Sequence, residues 1–118
     1  EGLAHRATVI HAPIEERTVE GRTLPWYAQA PLDEALPAAI DLLVVDGPPD
    51  LLHKDIRWPA VPVLRARLAP GATVLMDDGD RPHERRAAFD WRRRLAARIR
   101  YLPGGKGGWV IRLPGRAP

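Results

Sequence analysis

Apolar positions fall into two short, nearly continuous runs, Ile40–Val45 and Ala72–Met76, and each is closed by an acid, Asp46 or Asp77. Runs of this kind, rich in valine, isoleucine and leucine, predict strands buried on both faces, as in a parallel sheet. Between them Val61, Leu64 and Leu68 recur at spacings of three and four, which predicts a helix over residues 59–68, stopped by Ala69, Pro70 and Gly71. Ala87, Ala88, Trp91, Leu95 and Ile99 then lie along one stripe of a long helix from His83 to Ile99. Weaker signals fill the rest. The β-branched run Ala7–His11, closed by Ala12 and Pro13, predicts a strand. Residues 14–31 read as a hairpin or loop excursion, and Pro31–Leu36 as the start of a short helix limited by Pro37. Ile99–Leu102 and Gly108–Leu113 flank a short glycine-rich loop and predict an antiparallel hairpin. The pattern as a whole is α/β. The Ile40–Val45 and Ala72–Met76 strands are expected side by side and parallel, joined by a right-handed crossover.

Composition narrows the class. The 118 residues fit one domain, without internal repeat, and 45% hydrophobic with 28% charged residues is ordinary globular usage. The absence of cysteine excludes disulfides, thiolate metal sites and a cysteine nucleophile. No apolar run approaches the roughly 20 residues of a membrane helix, and no secretory signal opens the chain, so a cytoplasmic location is expected. The net charge is only +3, but eight arginines crowd between Arg81 and Arg100. Such a run is either the solvated face of an amphipathic helix or a basic module for nucleic acid or a protein partner. No aromatic side chains alternate with these arginines as base-stacking platforms would require. Phe89 and Trp91 fall where a helix core is expected.

Acids carry the candidate chemistry. In open α/β sheets, ligands bind beyond the carboxyl ends of the strands. Asp46 leaves one strand and Asp77 and Asp78 leave the other, so neighbouring strands would bring three carboxylates to one rim. Their repulsion is costly unless a cation or a proton relieves it, and hard oxygen donors suit Mg²⁺, Ca²⁺ or Mn²⁺. The alternative is local: Asp78 caps the next helix or turn while Asp46 makes an Asx-turn with Pro48 and Pro49. His83 has two readings as well, a general base near the site or an exposed residue in the first turn of the long helix. No histidine spacing suggests zinc, and the glycines at 104, 105, 107 and 108 are turn chemistry, not a phosphate loop.

Four segments together, Ile40–Pro49, Arg57–Ala60, Leu68–Ala72 and Val74–Asp78, resemble class I S-adenosylmethionine-dependent methyltransferases, in the branch that holds many small-molecule O-methyltransferases. The resemblance covers nearly the whole chain. It implies a Rossmann-like, mostly parallel sheet whose last strand is reversed and inserted beside the penultimate one. It implies that Ala12 and Pro13, with His11 beside them, meet the adenine side of the cofactor. Asp46 and Gly47 would border its methionine and the methyl acceptor, a small molecule or sugar. In metal-dependent members, acids matching Asp46, Asp77 and Asp78 surround Mg²⁺, which orients the acceptor hydroxyl and lowers its pKa. The family also begins with a strand, a glycine-rich turn and a helix, and then a second strand ending in an acid for the ribose. Nothing before Ala7 matches them. Residues 1–118 are therefore expected to be a partial methyltransferase-like domain, inactive alone, with millimolar affinity for S-adenosylmethionine at best. Three classes stay open: a methyltransferase fragment, a basic module using Arg81–Arg100, and a homo-oligomer formed through unpaired sheet edges.

Overall fold

A computed structural model describes residues 5–116. The first ladder is the hairpin of β1 (Ile14–Val19) and β2 (Arg22–Tyr27), with Ile14 opposite Tyr27 and Val19 opposite Arg22. Its two-residue loop, Glu20 and Gly21, has φ of 51° and 78°. Positive φ at both central positions matches the turn to the strand twist, and glycine supplies it at the second without steric cost. A short helix α1 (Gln29–Ala35) leads to β3 (Ile40–Val45). After a loop come α2 (Ala60–Leu64), a 3₁₀ turn at Arg65–Arg67 and β4 (Leu68–Asp77). Helix α3 (Pro82–Arg94) precedes the closing hairpin of β5 (Arg98–Leu102) and β6 (Gly108–Arg112).

The second sheet is mixed, in the order β3-β4-β6-β5. As expected, β3 and β4 are parallel neighbours, with Leu42 beside Thr73 and Val45 beside Met76. Strand β6 runs antiparallel to both β4 and β5, and lies between them. The molecule is thus α/β, with one mixed four-stranded sheet and a separate antiparallel hairpin.

One face of the large sheet makes the core. Val45, Val74, Met76 and Ile111 pack against Ala87, Ala88 and Trp91 of α3, Val61 of α2, and Leu24 and Trp26 of the first hairpin. Trp91 is fully buried, and its Nε1 donates to the Trp58 carbonyl at 3.0 Å, so the ring keeps a partner for its one polar atom. Trp58 joins the layers. Its Nε1 donates to Asp90 at 2.8 Å, and the guanidinium carbons of Arg22 and Arg94 stand 4.4 and 5.3 Å from its ring centroid.

Several expectations are corrected. Ala7–His11 forms no strand: Val9 is 97% exposed, and no strand among the described residues lies alongside to pair with it. Strand β3 is covered on one face only: the helices pack on the face that carries Val45, and Leu42 and Val44 on the other face remain 59% and 53% exposed. The helix expected over 59–68 stops at Leu64, and Leu68 belongs to β4, where it faces Ile40. Ala69, Pro70 and Gly71 do not precede β4 but bulge within it, since β3 advances from Ile40 to Leu42 while β4 advances from Leu68 to Thr73. Helix α3 ends at Arg94, five residues short of Ile99, which lies in β5. Phe89 is not core; it is 41% exposed and packs edge-on against Trp109.

Candidate functional site

Parallel pairing of β3 with β4 sends both carboxyl ends to one rim of the sheet. Asp46 follows β3, Asp77 ends β4 and Asp78 comes next, and one oxygen from each lies within 4.8 Å of the others. Asp78 has a φ of 55°, a left-handed conformation that aspartate tolerates better than most residues, and it turns the chain off the strand. The expected convergence is therefore present.

Arg57 organises the cluster. Its guanidinium is buried and donates to the Asp78 carboxylate at 2.9 Å, and to the carbonyls of Asp77 and Pro48 at 3.4 Å each. Asp46 lies 3.9 Å from the same group. Arg81 adds a second cation 3.6 Å from Asp78 and 3.5 Å from Asp50. The Arg57 hydrogen bond holds the Asp78 carboxyl below the usual carboxylate range, with burial opposing and the Arg81 charge assisting. Asp46 behaves oppositely: its hydrogen bond with Asp77, then burial and the Asp77 charge, raise it. The trio is thus split. Asp78 is held ionised by arginine, while Asp46, exposed beside Asp77, keeps its proton more readily than an ordinary carboxyl.

The local alternative does not hold for Asp78. Arg81 is the N-cap of helix α3 and receives no side-chain cap, and it is the backbone carbonyl of Asp78, not its carboxylate, that accepts from the Arg81 N–H at 3.1 Å. The donor set does fit a hard cation. Oxygens around one Mg²⁺ at 2.0–2.1 Å lie about 3–4 Å apart, a small closure from the present spacing. Asp46, Asp77 and Asp78 are the residues that would hold it.

The residues expected on the cofactor side assemble less tightly. His11 and Pro13 are exposed and Ala12 half-buried, in an extended segment ahead of β1. The Pro13 carbonyl accepts from Ala28, next to Tyr27, and a Cβ on Gly47 would come within 3.2 Å of the Tyr27 hydroxyl. Tyr27 thus stands between Ala12–Pro13 and Asp46–Gly47. A mostly apolar pocket of about 180 Å³, lined by Trp26, Tyr27, Leu36, Val44 and Asp46 among others, opens beside that turn. His83 joins none of this: its Nδ1 lies 3.1 Å from Arg86 and 3.4 Å from Asp55, so its contacts are with those side chains.

Two functional candidates escaped sequence reasoning. Arg57 is one of 16 arginines, and only its place in an otherwise apolar stretch, beside Trp58 and Pro59, sets it apart. Glu84, on the first turn of α3, is 3% exposed, and burial pushes its carboxyl up against the opposing pull of its own backbone N–H and of Arg57 and Arg81. Its place beside arginines 81, 85 and 86 makes it read as a surface acid.

The arginine run is not one face. Arg81, Arg93 and Arg94 pair with Asp50 and Asp78, with Asp90, and with Asp90 and Glu20, whereas Arg98 and Arg100 lie on β5. No described helix is long and apolar enough to cross a membrane. No family model matches the sequence, and no curated protein matches it.

Proposed function

We propose that this chain is a methyltransferase-like domain of the class I, S-adenosylmethionine-dependent type, with a Rossmann-like sheet and a small-molecule hydroxyl as methyl acceptor. The observation that carries the proposal is β6, a reversed strand lying between β4 and β5 as the resemblance requires. The acidic rim sits where such a fold receives its ligands, at the carboxyl ends of the parallel strands. S-adenosylmethionine supplies a sulfonium methyl, and Mg²⁺ on the acids supplies a fixed positive charge for the acceptor oxygen.

The chain's own groups do the rest by position. Asp46 and Gly47 border the acceptor, and Tyr27 limits the space above Gly47. Asp46, at the border of the acceptor, takes the hydroxyl proton at a carboxylate oxygen as the methyl–oxygen bond forms and the methyl–sulfur bond breaks. Arg57 keeps Asp78 charged and fixes the rim, so that little reorganisation is needed.

Thermal unfolding in millimolar Mg²⁺ and calorimetry with S-adenosylmethionine test the proposal. Mg²⁺ at ten times its dissociation constant should add about 1.4 kcal/mol of stability in the wild type and none in Asp77→Asn. Millimolar binding of S-adenosylmethionine, weakened in Asp46→Ala, is expected. An unchanged melting temperature together with no cofactor heat at millimolar concentration would reject the methyltransferase assignment.

A further inference from the structure

The face of the four-stranded sheet turned away from the core carries an ordered pattern. Register places Leu42, Thr73, Arg112 and Arg98 in one row across the sheet, and Val44, Leu75, Val110 and Arg100 in the next. Each row passes from an exposed aliphatic side chain on β3 to an arginine on β5. The three arginines are exposed, and none makes an ion pair among the described residues. Arg98 and Arg112 are direct cross-strand partners, a like-charge pairing that weakens a ladder unless something neutralises it. Leu42 and Val44 are more than half exposed on a strand whose neighbour runs parallel, and parallel sheets are ordinarily covered on both faces.

We propose that this face docks one amphipathic α-helix carrying acidic side chains along one flank. The width of the aliphatic strip selects a single helix. The aliphatic part, Leu42, Val44, Leu75 and Val110, spans β3, β4 and β6, about 10 Å at ~4.8 Å per strand, which matches the 10–12 Å diameter of a helix. Charge selects its flank: a helix lying along the strands over Leu75 and Val110 brings one edge over Arg98, Arg100 and Arg112, where glutamate or aspartate relieves the arginine pairing. This surface is independent of the methyltransferase assignment.

The probe is a synthetic amphipathic helix with leucines at three- and four-residue spacing and glutamates along one flank, compared with the same peptide bearing lysines there. Anisotropy of the labelled peptide should show the glutamate form binding at least tenfold more tightly. Leu42→Asp and Arg98→Glu should each weaken it at least tenfold while keeping the wild-type melting curve. Analytical ultracentrifugation should find the chain monomeric without peptide. Equal binding of the two peptides, no binding of either, or no effect of Leu42→Asp overturns the proposal. So does a dimer abolished by Leu42→Asp, which makes a second copy the occupant. Tighter binding of a single-stranded oligonucleotide, lost in Arg98→Glu but kept in Leu42→Asp, assigns the face to nucleic acid instead.

Discussion

At the scale of single residues, the acidic rim is held by one buried cation. Replacing Arg57 with methionine leaves Asp78, whose side chain is only 13% exposed, without its main partner. Breaking a buried pair from one side costs several kcal/mol, so Arg57→Met should lose about 3 kcal/mol in urea unfolding. The pH dependence follows from the same contact. Asp78 titrates lower folded than unfolded, so its contribution is complete above the ordinary carboxylate pKa of about 4 and disappears as pH falls through the folded value. Glu84 has the reverse sign. Burial raises it, so its charge penalises the fold most at neutral pH and the penalty fades in acid. Glu84→Gln should accordingly unfold at higher urea than wild type at pH 7, and at the same urea as wild type below pH ~4. Equal midpoints at pH 7 would show that Glu84 is not held charged against its surroundings. The three rim acids were legible in the sequence because each follows an apolar run. Arg57 and Glu84 were not, since a buried charge is defined by what surrounds it in space, and Arg57 finds Asp78 only across 21 residues of chain.

At the scale of elements, strands were easier to place than helix ends. Helix α3 shows why. Its exit is a Schellman motif: Ala96 donates to the Arg93 carbonyl at 3.3 Å and Ala97 to that of Arg92 at 2.9 Å, with Ala96 left-handed at φ 50°. The position ordinarily calls for glycine, and alanine there gives no stop signal, so in the sequence the apolar stripe runs on to Ile99. Left-handed backbone costs a residue with a Cβ roughly 1 kcal/mol. Ala96→Gly should therefore stabilise the protein by about 1 kcal/mol, less the added freedom of glycine in the unfolded chain, read as a raised urea midpoint. Destabilisation would mean that the exit is not left-handed in solution. Ala7–His11 failed for a different reason: β-branched residues favour a pleated surface, but a strand also needs a neighbour.

At the scale of the whole molecule, the parallel β3–β4 pair and the closing hairpin were legible, whereas one-sided coverage of the sheet was not. Apolar runs look alike whether one face or both are covered, and only the layer arrangement tells them apart. Protection against hydrogen exchange should follow strand position, slowest in β4 and β6 and fastest through residues 5–13, as proton exchange followed by NMR would report. Protection of β3 equal to that of β4 would show that something pairs with the outer edge of β3. The inserted β6 also sets an order of assembly during synthesis. When β5 leaves the ribosome it has no place in the sheet, because the strand that must lie between it and β4 has not yet been made. Until Arg112 emerges, β4 keeps a bare edge and α3 covers an incomplete surface. The nascent chain therefore carries β4 unpaired on one side through about 35 residues of elongation, roughly two to seven seconds at 5–20 residues per second, an interval in which a passing chaperone has a clear target.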